Sequence, residues 1–470
     1  MKAVELGDSE DAAPLLTVSA ATSRRHRFAL SIRERRVVLA VTDFVIGALA
    51  CYAAYVSLHP RHVQFEFYEP FIIGGFWIVG LLVADGYAFR IPSDRAESAI
   101  AVLKALPVAA VLSIVAFFLH PYVLTRSVIV LGLGLGALLL IVFRVTGARL
   151  LLHESLATRV ILLSDTELTS EVVDALRAAR YEYRVVETMT APRNETEQGD
   201  KLLEDVRPLL ENTDAEEVIV TSNELRLVPG LVEECLTHDV RLVIAGDLVE
   251  RYMGRVPIDS IDVHWYLSLP DSDVWRRPYA AARRLTDLVL AVVIGIPFLI
   301  VLPLLALVIK LDSAGPVLLK QRRVGEGGRE FELVKLRTMS ADAEAGGAQY
   351  TAQSDPRVTR VGRVLRVIRL DEFPQLLNIV RGEMSFIGPR PERPEFVTDL
   401  EAKVPHFRSR VLVRPGLTGW AQIKGGYAST LPEITRKLEY DLYYIKNRSL
   451  RLDLQIMFST LGTLLGRRGR

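Results

Sequence analysis

Leu288-Val-Leu-Ala-Val-Val-Ile-Gly-Ile-Pro297-Phe-Leu-Ile-Val-Leu-Pro303-Leu-Leu-Ala-Leu-Val-Ile309 carries no charge in 22 residues. Crossing the hydrocarbon core of a bilayer takes about 20 apolar residues, so the run is long enough to enter a membrane. Its flanks complicate a simple crossing. Arg276, Arg277, Arg283 and Arg284 precede it, and Lys310, Lys320, Arg322 and Arg323 follow. Lys and Arg accumulate on cytoplasmic loops, so both ends are expected on the cytoplasmic face. Pro297 and Pro303 each remove a helix hydrogen bond and favour a bend. Together these features predict a helix over about residues 285–310 that enters, turns at one of the two prolines and returns to the same face. An ordinary kinked span is the alternative, and it would put one basic flank outside.

Working toward the N-terminus, four more apolar stretches appear: Val37–Leu58, interrupted only by Asp43, then Phe71–Ala84, Ala105–Leu119 and Ser127–Phe143. The second and third are short alone, and flanking Tyr, Phe and His residues at headgroup depth extend them. Arg24, Arg25, Arg27, Arg33, Arg35 and Arg36 precede the first stretch, Arg90, Arg95 and Lys104 separate the second from the third, and Arg144, Arg149 and Arg159 follow the fourth. The other two loops hold one arginine each. Four spans with both ends in the cytoplasm satisfy this pattern. The expected organisation is a cytoplasmic tail over 1–35 and a four-helix transmembrane region over 36–150. Some 35 polar residues before the first stretch argue against a signal peptide.

Composition agrees. The 470 residues are 50% hydrophobic yet 24% charged, and mean hydropathy is positive. Apolar residues must therefore be concentrated in segments. Lys plus Arg number 57 against 56 for Asp plus Glu, a net charge of +1 that lacks the basic excess of a nucleic-acid binder. Cys51 and Cys235 alone give neither a disulfide framework nor a cysteine metal site.

Residues 157–271 are polar and patterned. Arg159–Ser164, Glu217–Thr221 and Val240–Ala245 read as strands, and Glu171–Arg180 and Leu231–His238 as helices. Such alternation indicates a Rossmann-like α/β domain with a parallel sheet. The turn after its first strand, Ser164-Asp165-Thr166-Glu167-Leu168, has no glycine and two acids, so a pyrophosphate could not approach. A scaffolding or regulatory role is the expectation.

The C-terminal third, 275–470, holds the chemistry. Gln321-Arg-Arg-Val-Gly-Glu-Gly-Gly-Arg329 is a basic glycine-rich turn. Phe331-Glu-Leu-Val-Lys335-Leu-Arg337-Thr-Met339 follows as a strand, with Lys335 and Arg337 on one face, a plausible phosphate clamp. Arg357, Arg360, Arg363, Arg366 and Arg369 recur every three residues, a spacing that spreads them over a broad helix face suited to polyphosphate or an anionic membrane surface. Asp371-Glu372 follows at once. Nearby cations favour ionised carboxylates, which serve as nucleophiles on phosphorus or as Mg²⁺ ligands. Gly388-Pro-Arg390-Pro391 and Arg414-Pro-Gly-Leu-Thr-Gly-Trp420 are stiff turns presenting guanidinium groups, and Tyr440-Asp441-Leu-Tyr443-Tyr444 closes the set.

Lys335-Leu-Arg337-Thr-Met, Asp355-Pro-Arg357, Leu370-Asp371-Glu372-Phe-Pro-Gln, Met384-Ser-Phe-Ile-Gly-Pro-Arg390-Pro and Arg414-Pro-Gly-Leu-Thr-Gly-Trp occur in one order. In them the run Arg276–Arg451 resembles the bacterial sugar transferase domain of monotopic polyprenyl-phosphate phosphoglycosyltransferases. With its upstream spans and middle domain, the whole chain resembles the family's long form. That resemblance implies an α/β catalytic domain with a re-entrant membrane helix, in the bacterial inner membrane and facing the cytoplasm. It implies transfer of a hexose 1-phosphate from a nucleoside diphosphate sugar, with UDP-galactose or UDP-glucose favoured, to undecaprenyl phosphate. Surface polysaccharide repeat units begin with this step. Asp371 would be the nucleophile, forming a phosphosugar-aspartyl intermediate with release of UMP. Glu372, with Asp371, would hold Mg²⁺ or activate the lipid phosphate. Lys335, Arg337, Arg390, Arg357 and Arg369 are the candidate phosphate ligands, and Arg414 and Trp420 the candidate nucleotide contacts. A homodimer and downstream glycosyltransferases are further partners consistent with the resemblance. One departure concerns the helix break: the family commonly uses Ser-Pro, whereas this chain has Ile296-Pro297 and Leu302-Pro303. A membrane-anchored nucleotide-sugar dehydratase would need a glycine fingerprint and a Tyr-x-x-x-Lys pair, and neither occurs. A non-catalytic assembly scaffold would require an inert dyad.

Overall fold

The structure is a computed structural model that describes residues 32–58, 68–84, 86–87, 95–119, 125–146, 157–164, 170–179, 182–190, 198–220, 230–269, 273–340, 343, 355–426 and 430–465. Two compact units divide the chain, Met1–Met253 and Gly254–Arg470.

The first unit opens with α1 (Ile32–Leu58), α2 (Glu69–Val83), α3 (Arg95–Leu119) and α4 (Arg126–Thr146). Each packs on its neighbour in sequence, and α4 closes onto α1. Trp77, Ile73, Leu81, Val102 and Leu140 fill the centre, while Val41, Leu49, Val111, Val130 and Leu138 face outward. An apolar exterior of this kind suits lipid rather than water. By length and composition α1, α3 and α4 are long enough to cross a bilayer. The second apolar stretch, short on its own in the sequence, forms α2, the shortest of the four helices. Its 15 residues reach only about 22 Å at 1.5 Å per residue, short of a hydrocarbon core of about 30 Å. Asp43, the one charge in the first apolar stretch, is fully buried and paired with Arg144 of α4 at 2.6 Å, and Arg144 also donates to Gly86 O at 2.6 Å. Charges inside an apolar bundle persist only when paired in this way.

The rest of this unit is a parallel four-stranded sheet in the order β2-β1-β3-β4. The elements are β1 (Thr158–Ser164), α5 (Ser170–Ala178), β2 (Tyr183–Thr190), α6 (Gln198–Asn212), β3 (Glu217–Val220), α7 (Leu231–Thr237), β4 (Arg241–Ile244) and α8 (Ala245–Met253). Strand alternation sorts the core into two layers. Ile161, Leu163, Val218 and Val220 pack on α6 and α7, whereas Val160, Leu162 and Ile219 pack on α5 and α8. Helices therefore cover both faces, as the sequence pattern implies. β2 and α6 have no counterpart in that pattern, because Tyr183–Thr190 mixes Arg, Glu and Thr with its valines. The glycine-free turn after β1 lies at 165–168, outside the described residues.

In the second unit α9 (Val263–Leu267) precedes α10 (Asp273–Asp312), followed by β5 (Leu318–Val324) and β6 (Glu330–Leu336), then α11 (Arg360–Val367) and α12 (Leu376–Arg381). β7 (Ser385–Ile387), α13 (Pro394–Lys403), β8 (Gly416–Thr418), α14 (Trp420–Lys424), α15 (Leu431–Asn447) and α16 (Leu450–Leu465) complete it. β5 and β6 form an antiparallel hairpin, and β7 and β8 a short parallel pair. Val256, Ile261 and Trp265 share a core with Leu400, Phe407, Leu438 and Leu442, and Arg255 pairs with Glu439 at 2.6 Å. Residues 254–269 thus belong with this unit, whereas the sequence pattern suggests a boundary near 271–275.

α10 is continuous through Pro278, Pro297 and Pro303. Asp287, Ala291, Ile294, Phe298, Leu302, Leu305 and Ile309 recur every three or four residues on its packed face. Opposite them Val289, Val292, Val293, Ile296, Ile300, Leu304 and Leu311 are exposed. Both ends are pinned to the same unit. Near the start, Asp287 accepts from Ser385 Oγ and Phe386 N at 3.0 Å each, and Arg284 donates to Ile379 O and Val380 O. At the far end, Arg337 donates to Ile309 O at 3.3 Å and Ser313 O at 2.6 Å, and Asp312 accepts from Val361 N at 3.1 Å.

Candidate active site

Asp371 and Glu372 sit on a two-turn 3₁₀ segment, Leu370–Gln375, shortly after α11. Three local features place it. Thr359 caps α11 by accepting from Gly362 N at 2.9 Å. Gly362 lies so close to the end of β6 that a Cβ would meet Thr338 O at 2.1 Å. Arg369 then adopts a left-handed backbone, φ 55°, which turns the chain out of the helix. Beyond the dyad, the wholly buried Asn378 accepts from Val334 N at 3.1 Å and donates to Glu332 O and Glu383 Oε2 at 2.7 Å each. Phe373 packs on Phe298 of α10, ring centroids 5.4 Å apart. The dyad is thereby fastened to strand β6 on one side and to the apolar helix on the other.

Electrostatics separate the two acids. Glu372 accepts from Arg390 Nη2 at 2.9 Å and lies 3.8 Å from Arg369. Burial, and then the charge of Glu372, push Asp371 up to about 6, against the pull of Arg366, Arg390 and Lys335. This corrects the expectation that the surrounding cations leave Asp371 readily ionised: desolvation outweighs them. The resulting carboxylate is poised near neutrality, an ordinary property of functional acids and bases.

The basic candidates divide. Lys335, on β6, donates to Gln321 Oε1 of β5 at 3.2 Å, and Gln321 also accepts from Arg323 at 2.7 Å. Arg390 stands on the turn between β7 and α13, held where the two glycine-proline turns meet: Gly388 N donates to Thr418 O and Gly416 N to Pro389 O, both 2.9 Å. Arg366, quoted in the arginine series but not singled out, faces Asp371 and donates to Thr338 Oγ1 at 2.9 Å. Lys335, Arg366 and Arg390 are the cations whose charges act on Asp371. Arg337 is not among them. β6 ends at Leu336, so strand alternation lapses and its guanidinium turns to the last carbonyls of α10. Arg357 is engaged bidentately with Asp355, which it holds at about 2, and with Ala343 O. Because α11 covers only Arg360–Val367, Arg357 and Arg369 lie outside it and the arginine series is no single helical face. Arg414, half-exposed, pairs with Glu326 on the glycine turn at 3.1 Å. Trp420 is buried, stacks on Tyr443 and donates Nε1–H to Gly254 O at 2.7 Å, which leaves little of it for a nucleotide.

As a cation site, the dyad offers two adjacent carboxylates. Mg²⁺ typically takes one or two protein carboxylates and completes its shell with water and substrate phosphate, so the donor set fits.

Residues 278–467 match the family model described as bacterial sugar transferase. The UDP-N-acetylgalactosamine-undecaprenyl-phosphate N-acetylgalactosaminephosphotransferase of Aeromonas hydrophila is 46% identical over 232 residues, 49% of this chain and 54% of its own length. The UDP-glucose:undecaprenyl-phosphate glucose-1-phosphate transferase of Caulobacter vibrioides is 42% identical over 185 residues, 39% of this chain and 69% of its own. An exopolysaccharide production protein of Rhizobium leguminosarum is 39% identical over 183 residues, 38% of this chain and 90% of its own. The matches span about half of the Aeromonas protein and most of the two others, and the family model falls on the unit that carries the dyad, the gathered cations and the apolar helix. The chain belongs to the bacterial sugar transferase family.

Proposed function

We propose that this chain transfers a hexose 1-phosphate from a uridine diphosphate hexose to undecaprenyl phosphate, the opening step of a surface polysaccharide repeat unit. The observation that carries the reading is Asp371, a half-buried carboxylate acted on by the charges of Lys335, Arg366 and Arg390 and joined through Phe373 to an apolar helix. The sugars named for the relatives are glucose and N-acetylgalactosamine. In the first step an Asp371 oxygen attacks the sugar-bearing phosphorus, the bond to the bridging oxygen breaks, and UMP leaves with the electron pair. In the second, an oxygen of undecaprenyl phosphate attacks the same phosphorus and Asp371 leaves, giving the lipid diphosphate sugar. Lys335 and Arg390 bind the donor diphosphate, and Arg366 neutralises charge developing on its non-bridging oxygens. Glu372 orients Arg390. Asp371 and Glu372 would hold Mg²⁺, which supplies further positive charge to the phosphates when bound.

A re-entrant α10 suits this chemistry. Its packed face meets the catalytic unit along its whole length, both ends are pinned to that unit, and its other face is apolar. A soluble donor and a lipid acceptor then reach one site at the cytoplasmic surface of the inner membrane. The parallel sheet of the first unit serves as scaffold or regulator. The test is UMP release from a panel of UDP-sugars with undecaprenyl phosphate and Mg²⁺. Release with at least one sugar, lost in Asp371→Asn, supports the reading. No release with any sugar, or unchanged release by the variant, contradicts it.

A further inference from the structure

The motif Tyr440-Asp441-Leu-Tyr443-Tyr444 has no part in the reaction as described, yet Asp441 is among the most deeply buried charges of its unit, 2% exposed. Its partner is Arg410, whose Nε donates to Asp441 Oδ2 at 2.9 Å from the 3₁₀ segment Phe407–Leu412. The same guanidinium stacks on the Phe407 ring at 5.1 Å, and Nη1 lies 3.8 Å from Glu392. Its Nη2 donates to the backbone carbonyl of Arg390 at 2.9 Å. One planar group thus joins α15 to the residue whose own guanidinium holds Glu372.

Stability alone does not account for this arrangement. Well-packed apolar residues often replace a buried ion pair at no loss. A rigid fork does something they cannot, because its N–H groups point in fixed, diverging directions. One direction is anchored by Asp441, so the other meets the Arg390 carbonyl at a set angle.

We propose that Arg410, anchored by Asp441, is a positioning residue for Arg390. It fixes the backbone from which the Arg390 guanidinium reaches the donor diphosphate beside Asp371 and Glu372. This rests on the transferase reading above and names residues that set its donor site.

A double-mutant cycle on the full-length chain tests it, read as kcat/KM for the UDP-hexose and as Kd for UDP. Arg410→Lys keeps a cation for Asp441 but cannot hold Asp441 and the Arg390 carbonyl together. It is expected to lower kcat/KM and weaken UDP binding about tenfold, with a melting temperature near that of the wild type. In an Arg390→Ala background the same change is expected to have no further effect. Equal losses in both backgrounds would overturn the proposal, because a general structural defect adds to the loss of Arg390. Should Arg410→Lys lose its melting transition, the near-isosteric Asp441→Asn takes its place with the same two expectations. Failure of the transferase reading itself shows separately, as a wild type that releases no UMP.

Discussion

Asp371 shows how far one residue's chemistry departs from its neighbours in sequence. The surrounding arginines are plain in the sequence, but the packing of the turn, where Phe373 meets Phe298 of the apolar helix and Pro374 is buried, is not. Two predictions follow from its raised position near 6. With Asp371 as the proposed nucleophile, only its ionised form would attack phosphorus, so kcat/KM, which reports the free enzyme, should fall tenfold per pH unit below about 6. A flat profile down to pH 5 would contradict this. The sign for stability is the reverse of the usual acid. Since the fold favours the protonated form, stability declines as pH rises from about 4 through about 6, and the ionised group is a burden at pH 7. Asp371→Asn should therefore raise stability by about 1–3 kcal/mol, measured by denaturant melts, while cutting turnover at least about a thousandfold.

Among the elements, α10 was the most legible and the short strands the least. Its apolar run, basic flanks and prolines are all local, and they specify a membrane-entering helix without tertiary knowledge. The end of β6 is not local. Lys335 and Arg337 share a face on paper, and the strand's last residue, Leu336, separates them in space. Topology of α10 is open to labelling. In a background lacking Cys51 and Cys235, cysteines at Arg277 and Ala314 should both react with an impermeant maleimide only after cells are permeabilised. Reaction of either one in intact cells would refute re-entry. The β7–β8 pair rests on glycines that nothing larger can replace. A Cβ on Gly416 would lie 2.1 Å from Gly388 N, so Gly416→Ala should cost roughly 2–4 kcal/mol and weaken UDP binding as the Arg390 turn shifts. An unchanged melt would show that the turn has room to adapt.

For the molecule as a whole, motif order in the last third was enough to place the catalytic unit, and alternation was enough to place a parallel sheet in the middle. The boundary between units was not legible, because Val256 and Trp265 look like the tail of the α/β domain and pack instead with Phe407 and Leu438. A chain beginning at Gly254 should fold and retain UMP release. One beginning at Arg276 forfeits the Trp265 side chain and the Arg255–Glu439 pair, and should be less stable by about 3–5 kcal/mol or insoluble. Equal thermal stability of the two would refute this assignment.

The covalent step is the centre of the account, and intact-protein mass spectrometry addresses it directly. Incubated with its UDP-hexose and Mg²⁺ and no lipid acceptor, the wild type should gain the mass of one hexose phosphate with matching UMP release. The gain should disappear on adding undecaprenyl phosphate and be absent in Asp371→Asn. Lipid-linked sugar formed by a wild type that never carries the adduct, or an adduct that persists in Asp371→Asn, would contradict the assignment of Asp371 as nucleophile.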